Sequence, residues 1–397
     1  MNIVVIGAGL AAANAVAELR SRGYASDLTL IGAEPHLPYE RPPLSKGLLL
    51  GTDEPDSVFV HDRPWYDQHQ VALRLGTRVT AVDRDHKRVL LDGDQLAYDR
   101  LILATGSTPR RLPALEAGSI PVRYLRTLDD SVGLKKDLTG HVFIVGAGWI
   151  GLEIAAAARQ AGARVTIAET AAWPLLGVLG PELAPLFAGL HRDHGVDLRL
   201  STSVERVTGS EVLLSDGTRL RPDLIVAGVG AAPEDALAAG AGLATDNGIL
   251  VDARLRTADP AVFAAGDVAN HDHPDLGRVR VEHWDNAIEQ GKHVAGSVLG
   301  DLAPYTRQPY FFSDQYDLGM EYLGYVGRAG YDELIVRGDR AALTLVALWV
   351  RGGRVVAGLH LNDWDAADSL RLLVGTTPKN LDALRDESVP LPRPDEN

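Results

Sequence analysis

Two glycine-rich turns hold the residues of this chain that are best suited to bind a phosphate-containing ligand. The first, GAGLAA at residues 7–12, directly follows the apolar segment 2–6. The second, GAGWIG at residues 146–151, directly follows the apolar segment 141–145. In such a turn the first glycine permits the tight bend and the second lets backbone N–H groups approach a pyrophosphate. A small third residue lets helix and strand pack closely. A lone match is a weak signal, but a strand, a turn and an alanine-rich helix start together make each one credible.

An acid follows each glycine turn at the end of the next apolar segment. Glu34 follows residues 28–31, and Glu169 follows residues 164–168. Both lie at about the twenty-residue spacing of an acid that accepts hydrogen bonds from ribose hydroxyls. The chain is therefore predicted to bind two dinucleotides, and two dinucleotides in one chain imply electron transfer between them.

The composition restricts the chemistry further. The 397 residues are 46% hydrophobic, carry a net charge of −14 and include no cysteine. An acidic chain is not expected to bind nucleic acid, because phosphate groups need a basic surface. No apolar run is long enough to span a membrane. Because the first predicted strand begins at the N-terminus, we expect a cytoplasmic protein without a signal peptide. The lack of cysteine excludes disulfide and thiolate chemistry, so any redox chemistry must reside on bound cofactors.

The order of apolar segments predicts an α/β protein with an interrupted domain. Short apolar segments at 101–107, 224–230 and 261–267 end in glycine, serine or aspartate, as buried strands do beside a ligand. The simplest arrangement inserts one dinucleotide-binding domain (109–230) into another (1–108 and 231–303), followed by a C-terminal domain (304–397). In that last domain, Gly352-Gly353 predicts a hairpin turn between segments 341–351 and 354–361, and residues 363–374 predict a helix.

Six short motifs give the chain a resemblance to a known family. They are RPPLSK at 41–46, ATG at 104–106, LRTL at 125–128, GLE at 151–153, AGD at 265–267 and FSDQ at 312–315. With these motifs in this order, nearly the whole chain resembles the flavin-dependent ferredoxin reductases of bacterial oxygenase systems. The resemblance implies a glutathione-reductase-type fold: two Rossmann-type domains, with an NAD-binding domain (109–230) inserted in an FAD-binding domain (1–108 and 231–303), plus a C-terminal α+β domain (304–397).

The same resemblance implies FAD and NADH as cofactors and a [2Fe–2S] ferredoxin as partner of a monomer or homodimer. Hydride would pass from NADH to FAD, and single electrons would then pass to the ferredoxin of a monooxygenase or dioxygenase. Members of the wider group that reduce disulfides carry a redox cysteine pair. Because this chain has no cysteine, its electrons must go to an external acceptor.

The resemblance also assigns cofactor-binding residues. Gly7, Gly9 and Ala11 would contact the FAD pyrophosphate, Glu34 the ribose, Val79 the adenine through its backbone, and Arg126 the flavin nucleotide. Relatives place an Asp where this chain has Ala33. Asp267 would accept a hydrogen bond from a ribityl hydroxyl or cap a following helix, and Trp284 would lie beside the isoalloxazine or in the core. The full predicted set is Gly7, Gly9, Leu10, Ala11, Glu34, Arg41, Lys46, Val79, Thr105, Gly106, Arg126, Gly146, Gly148, Ile150, Glu153, Glu169, Gly230, Asp267, Trp284 and Phe312.

Lys46 and Glu153 are the predicted catalytic residues. By resemblance, a lysine near flavin N5 and O4 would stabilise negative charge on the reduced ring, and a paired glutamate would hold the lysine and bind the nicotinamide carboxamide. Without the resemblance, Lys46 reads as a solvated surface lysine and Glu153 as an acid in the first turn of a helix. No metal site is predicted, because the twelve histidines, including the pair at 271 and 273, lack a convincing ligand set and suggest a polar loop.

Three sequence features concern specificity, and the last two are departures from the family. Glu169 is followed by Thr-Ala-Ala without an arginine, which favours NADH over NADPH. Trp173 and Gly177 stand where relatives often carry basic residues for the dinucleotide phosphates. Glu321 stands where a relative has a lysine on the predicted ferredoxin-docking face, near Lys292 and residues 310–312. Two other functions stay open: an NADH oxidase or quinone or dye reductase without a protein acceptor, and a redox-signalling flavoprotein of the apoptosis-inducing-factor type.

Overall fold

Both glycine-rich segments fold as predicted into a strand, a turn and a helix. The structure is a computed structural model that describes residues 1–393, so residues 394–397 of the predicted C-terminal domain lie outside the described chain. The strands, labelled in chain order, are β1 (Ile3–Ile6), β2 (Leu28–Ile31), β3 (Val71–Arg74), β4 (Val79–Asp83), β5 (Arg88–Leu91), β6 (Asp94–Ala97), β7 (Arg100–Leu103), β8 (Ser107–Pro109), β9 (Val122–Arg123), β10 (His141–Val145), β11 (Arg164–Ala168), β12 (Asp197–Arg199), β13 (Val204–Thr208), β14 (Glu211–Leu214), β15 (Arg219–Leu220), β16 (Leu224–Ala227), β17 (Ala231–Pro233), β18 (Ile249–Val251), β19 (Val262–Ala264), β20 (Ala269–His273), β21 (Gly277–Arg280), β22 (Tyr310–Gln315), β23 (Leu318–Gly324), β24 (Glu333–Asp339), β25 (Thr344–Arg351) and β26 (Arg354–Leu361).

The α-helices connect these strands or cover the sheets. They are α1 (Leu10–Ser21), α2 (Gly47–Leu50), α3 (Arg63–Gln68), α4 (Leu128–Asp137), α5 (Trp149–Gln160), α6 (Leu176–Asp193), α7 (Ala236–Gly240), α8 (Trp284–Leu299), α9 (Ala367–Leu373) and α10 (Leu381–Arg385).

The first of two compact units comprises Met1–Pro42, Asp56–Thr108 and Ala231–Pro309. Its central sheet is parallel, in the order β19-β7-β1-β2-β3. Every residue of β1 is buried, as expected for a parallel strand covered on both faces. Helices α1 and α8 pack so closely at Gly291 that a Cβ there would lie 2.4 Å from the Ala11 carbonyl oxygen. The sheet order is that of a dinucleotide-binding domain.

The second unit comprises Pro43–Pro55, Pro109–Gly230 and the chain from Tyr310 onward. It contains a second parallel sheet, β12-β11-β10-β16-β9, and a small antiparallel sheet, β13-β14-β15. Its helix α6 is interrupted at Gly180, where φ is +74°, and Pro181 follows. The predicted α/β class with two Rossmann-type sheets is therefore confirmed.

The C-terminal part of the second unit is an antiparallel sheet, β22-β23-β26-β25-β24, with α9 and α10 beside it. Gly352 and Gly353 have φ of +56° and +77° and join β25 to β26, which confirms the predicted hairpin. The helix predicted at 363–374 is shorter, because residues Trp364–Ala366 form a 3-10 turn before α9 begins at Ala367.

The predicted division into three domains stays a prediction. In the structure, segment 109–230 belongs to the same unit as the C-terminal sheet, and so does Pro43–Pro55, which carries Lys46. The break between the units near the C-terminus falls between Pro309 and Tyr310, a few residues after the predicted boundary at 303/304.

Candidate functional site

The first glycine turn, in the first unit, is shaped for a pyrophosphate. Gly7 has φ of +104°, and a Cβ there would lie 2.1 Å from the Ala104 carbonyl oxygen, so a larger residue cannot fit. Around Gly9, by contrast, no atom of the described chain lies within 4 Å of an added Cβ. Gly9 is the N-cap of α1, and among the described residues no side chain caps that helix and its first turn holds no acid. Uncapped N–H groups at the positive end of a helix fit the FAD pyrophosphate.

Glu34, the predicted ribose ligand, is held by two neighbours. The Tyr39 hydroxyl donates to Glu34 Oε2 at 2.6 Å, and Arg41 Nη2 lies 3.3 Å from Oε1. Burial disfavours the Arg41 charge, but Tyr39, Glu34 and Asp267 outweigh that effect and raise the pKa of Arg41. The structure therefore brings Glu34 and Arg41 together. Val79 is buried at the start of β4.

Asp267 lies in a 3-10 turn, Gly266–Val268, after β19. The Ser107 hydroxyl donates to its Oδ2 at 2.9 Å. The alternative role of Asp267 as a helix cap is wrong, because the strand β20 and not a helix follows that turn. Thr105 Oγ1 donates to the Glu234 carbonyl at 2.6 Å.

Three further predicted residues lie at element ends in the first unit. Gly106 has φ of +74°, and its carbonyl accepts from the Glu234 N–H at 2.9 Å. Trp284 is the first residue of α8 and is half-buried, so it is not a fully buried core aromatic. Leu10, the first residue of α1, is buried.

The second glycine turn, in the second unit, repeats the shape of the first. Gly146 has φ of +99°, and a Cβ there would lie 2.5 Å from the Gly228 carbonyl oxygen. A Cβ on Gly151 would lie 2.2 Å from the Gly146 carbonyl oxygen, whereas around Gly148 the described chain leaves 4 Å of open space. Helix α5 starts after Gly148, and in the described structure no side chain caps it and its first turn holds no acid. Ile150, in that first turn, is 44% exposed.

Glu169 reaches back to the second glycine turn. Its Oε2 accepts from the Ala147 N–H at 2.7 Å, and its Oε1 accepts from the Ala171 N–H at 2.8 Å and from the Thr170 hydroxyl at 3.2 Å. These bonds place an anion beside the turn, where ribose hydroxyls would lie. Gly230, with φ of +92°, accepts from the Arg110 N–H at 2.9 Å.

Lys46 and Glu153 form a buried ion pair within the second unit. Lys46 Nζ lies 2.9 Å from Glu153 Oε1, and the side chains are 19% and 4% exposed. Ser313 Oγ donates to the same oxygen at 2.7 Å, and Ser45 Oγ donates to Oε2 at 2.5 Å. Both alternative interpretations are therefore wrong: Lys46 is not a solvated lysine, and Glu153 is not in the first turn of α5.

The ring of Phe312 lies beside this pair. Lys46 Nζ lies 5.5 Å from the centroid of the Phe312 ring, within the range of a cation–π contact. Arg126 lies just before α4, and its N–H donates to Asp130 Oδ2 at 3.1 Å. That carboxylate also closes a capping box with Thr127, which fixes the start of α4 and hence the place of Arg126.

The two residues of the predicted docking face are both engaged within their own unit. Lys292 Nζ lies 3.0 Å from Glu289 Oε1. Glu321 accepts from the Tyr310 hydroxyl at 2.7 Å and lies 3.6 Å from Arg371 and 3.4 Å from His360. Hydrogen bonding from His360 lowers the pKa of Glu321; partial burial opposes that effect, and Tyr310 adds to it. The negative charge of Glu321 is thus compensated locally.

The family departure at Trp173 has a structural explanation. Trp173 is half-buried and packs against the hydrophobic core of the second unit. Gly177 is exposed on α6, with no described atom within 4 Å of an added Cβ.

The pair of histidines predicted in a polar loop lies instead in β20, where His271 and His273 are buried. Within residues 1–393 no three His, Asp or Glu side chains are grouped to hold a metal ion. In the same part of the chain, no helix combines the length and apolarity needed to cross a bilayer.

Comparison with known proteins identifies the class. A family model described as pyridine nucleotide-disulphide oxidoreductase matches residues 1–291, and one described as reductase C-terminal matches residues 310–393. The chain therefore belongs to the pyridine nucleotide-disulphide oxidoreductase family. It is an NADH-dependent flavoprotein reductase with FAD and NADH as cofactors, and the glycine turns described above fit both groups.

The relatives include reductases named for small electron-transfer proteins and reductase components of dioxygenase systems. The chain is 38% identical to putidaredoxin reductase of Pseudomonas putida, with 98% of this chain and 96% of that protein covered. It is 40% identical to the ferredoxin–NAD(+) reductase component of the anthranilate 1,2-dioxygenase system of Burkholderia cepacia, with 98% of each covered. The covalent putidaredoxin reductase–putidaredoxin complex matches with a TM-score of 0.93 and 37% identity, covering 98% of this chain and 97% of that chain. The resemblance read from the motifs is confirmed.

The sequence did not reveal that Ser45 and Ser313 donate hydrogen bonds to Glu153, or that Tyr39 donates one to Glu34. A signal was present, because Ser45 precedes Lys46 and Ser313 follows Phe312 within two of the quoted motifs. What the sequence could not show is that these motifs, more than 250 residues apart, meet at one carboxylate.

Proposed function

We propose that this chain passes a hydride from NADH to FAD and then single electrons to a [2Fe–2S] ferredoxin that serves a monooxygenase or dioxygenase. The observation that carries the proposal is the buried Lys46–Glu153 pair beside a dinucleotide-binding turn, in a chain without cysteine. When bound, FAD supplies the conversion of a two-electron donor into one-electron steps. No protein thiol is available as an alternative redox centre.

The protein's part in this reaction is to bind, orient and supply charge. The N–H groups at the start of α5 bind the NADH pyrophosphate, and Glu169 accepts the ribose hydroxyls. Glu153 accepts the carboxamide N–H, which orients the nicotinamide. Lys46 supplies positive charge where the reduced flavin carries negative charge. The N–H groups at the start of α1, with Glu34, Arg41 and Asp267, bind FAD.

A ferredoxin as acceptor is supported by the relatives. One is named as putidaredoxin reductase, another as a ferredoxin–NAD(+) reductase component, and a solved relative is a covalent complex with putidaredoxin. Small ferredoxins are acidic, so a reductase of net charge −14 needs local positive charge at its docking face. We propose Lys292 as one such charge. The ion pair with Arg371 and the hydrogen bond from Tyr310 offset the charge of Glu321, which would otherwise repel an acidic partner. This local compensation supports a ferredoxin as the acceptor.

The proposal is tested by cytochrome c reduction with NADH, with and without added [2Fe–2S] ferredoxins. The rate should rise sharply with a cognate ferredoxin and fall as salt is added. Lys292→Glu should lower this rate and leave NADH-to-ferricyanide activity unchanged, and Lys136→Glu, an exposed lysine on α4, is the matched control. A rate indifferent to every ferredoxin, with fast peroxide formation, would instead make the chain an NADH oxidase.

A slow reoxidation accompanied by NADH-dependent dimerisation would indicate the redox-signalling alternative. Sedimentation with and without NADH distinguishes a monomer from a homodimer in either case. We place the enzyme in the cytoplasm, where metabolism supplies NADH.

A further inference from the structure

The acid of the buried ion pair is supported by a line of hydrogen bonds that continues away from Lys46. We propose that Ser313, Gln315 and His191 are positioning residues that hold Glu153 in the orientation in which it binds the nicotinamide carboxamide. The inference rests on the proposed function of Glu153. In the FSDQ motif at 312–315, it gives Ser313 and Gln315 a positioning role in addition to the predicted role of Phe312.

The line joins three elements of the second unit. Starting on α6, His191 Nε2 lies 2.9 Å from Gln315 Oε1. On β22, Gln315 Nε2 lies 3.1 Å from Ser313 Oγ. Ser313 Oγ then lies 2.7 Å from Glu153 Oε1 on α5. Each distance is within the normal range of a hydrogen bond.

Every bond in the line has the same direction. An amide oxygen can only accept, so His191 donates its Nε2–H to Gln315 Oε1. The amide NH₂ of Gln315 is thereby turned toward Ser313 and donates to its Oγ. With its oxygen accepting from Gln315, Ser313 directs its own hydrogen to the Glu153 carboxylate. Hydrogen bonds aligned in this way strengthen one another.

Burial makes the line hard to replace by water. The exposed fractions of His191, Gln315 and Ser313 are 0%, 1% and 2%. Burial lowers the pKa of His191 to about 4, so the ring is neutral at pH 7 and carries one N–H. The Tyr316 hydroxyl lies 3.5 Å from its Nδ1, which is consistent with the hydrogen being on Nε2.

The line matters because a glutamate side chain does not fix its own carboxylate plane. The terminal torsion of glutamate is broad, so the carboxylate direction is set by its partners. Ser45 contacts Oε2, whereas Ser313 and Lys46 share Oε1. Without the Ser313 bond, Oε1 is held by a flexible lysine alone, and the plane that meets the carboxamide is no longer defined.

The test compares two ligands of the oxidised holoenzyme by titration calorimetry. NAD⁺ carries the carboxamide, whereas ADP-ribose lacks the nicotinamide ring and binds through the remaining groups. Ser313→Ala should weaken NAD⁺ binding by roughly five- to tenfold and leave ADP-ribose binding unchanged. Ser313→Thr, which keeps the hydroxyl on a strand, should restore NAD⁺ binding.

Gln315→Glu tests the direction of the line without removing volume. A carboxylate at residue 315 still accepts from His191, but it also accepts the Ser313 hydrogen and so draws it away from Glu153. It should therefore weaken NAD⁺ relative to ADP-ribose, as Ser313→Ala does. Ser369→Ala, at a buried serine of α9 outside the line, is the matched control and should leave both affinities unchanged.

The outcomes separate this inference from the proposed function. If Glu153→Gln weakens NAD⁺ selectively but Ser313→Ala and Gln315→Glu do not, the positioning role is wrong and the role of Glu153 stands. If Glu153→Gln does not change the ratio of the two affinities, both are wrong. Equal losses of NAD⁺ and ADP-ribose binding in Ser313→Ala would show general damage and would also overturn the inference.

Discussion

Glu169 Oε2 accepts a hydrogen bond from the N–H of Ala147, 2.7 Å away, so the acid that follows β11 is tied to the turn that follows β10. If a dinucleotide pyrophosphate occupies this turn, as we propose, its adenosine ribose would lie beside the negative charge of Glu169. A 2′-phosphate at that ribose would meet the carboxylate directly.

The first prediction concerns this contact. The unmodified enzyme should prefer NADH to NADPH, and Glu169→Ala should reduce the ratio of the two kcat/KM values at least tenfold by removing the repulsion. The measurement is steady-state reduction of ferricyanide with each dinucleotide. Thr170→Ala, which removes a neighbouring hydroxyl but keeps the carboxylate, should leave the ratio unchanged. Equal turnover with NADPH in the unmodified enzyme would contradict the role of Glu169.

The second prediction concerns Lys46. Lys46→Met keeps the approximate size of the side chain but removes the positive charge beside Glu153. Flavin reduction by NADH, followed anaerobically by stopped flow, should slow by about 10²-fold, as on loss of a preorganised electrostatic contact. The reduction potential of the flavin should fall, because the reduced ring loses a stabilising charge.

Lys136→Met, at an exposed lysine of α4, controls for a change in net charge. If Lys46→Met lowered the thermal stability but left both the reduction rate and the potential unchanged, Lys46 would be a structural partner of Glu153 only.

The third prediction uses the open position at Gly177. Because no described atom lies near an added Cβ, an arginine can be placed there without displacing Trp173 from the core. Leu175 N–H donates to the Ala147 carbonyl at 3.3 Å, so the start of α6 lies beside the glycine turn. Gly177→Arg should tighten NADH binding by about 1 kcal/mol through a charge-assisted contact to phosphate.

Gly177→Ala separates this effect from the gain in helix propensity and should leave the NADH dissociation constant unchanged. An arginine variant that binds no better than the alanine variant would show that position 177 does not face the phosphates.

The fourth prediction concerns acid stability. His271 is buried in β20, and burial, with smaller effects of His273 and Arg278, lowers its pKa to about 4. The unfolded chain binds a proton at this residue near pH 6.5, whereas the folded chain does so only near pH 4. The contribution of neutral His271 to stability is therefore complete above about pH 6.5 and declines as the pH falls toward 4.

His271→Asn retains an acceptor for Gln290 but does not titrate. Between pH 6.5 and pH 5, the melting temperature of this variant should fall less steeply than that of the unmodified protein. The corresponding difference in the loss of unfolding free energy is up to about 2 kcal/mol. Parallel curves for this variant and the unmodified protein would show that His271 does not set the acid limit.

The sequence predicted much of the fold because the two glycine turns impose close contacts that few other residues permit. Gly146 and Gly151, for example, each face a carbonyl oxygen at a distance that excludes a side chain. Likewise, Gly352 and Gly353 predicted their hairpin through the positive φ that both adopt.

The parts that could not be predicted depend on contacts between distant segments. The grouping of Pro43–Pro55 with residues 109–230 and the C-terminal sheet is one such case. The buried surroundings of His271 are another, because its sequence neighbours are polar while the packing partner Tyr305 is far along the chain. The set of hydrogen-bond donors around Glu153 is a third case. Residue spacing within one segment does not show which distant segments meet at that side chain.

The interruption of α6 at Gly180 has a consequence for how the two ends of NADH are supported. The short segment before Gly180 lies beside the second glycine turn, and the longer segment after it carries His191. In an unbroken helix, a displacement at one of these positions would be transmitted to the other. The interruption at Gly180 lets each segment adjust to its own packing partners separately. Substitutions at Gly177 and at Ser313 should therefore contribute independently to NADH affinity, with free energies that add to within about 0.5 kcal/mol.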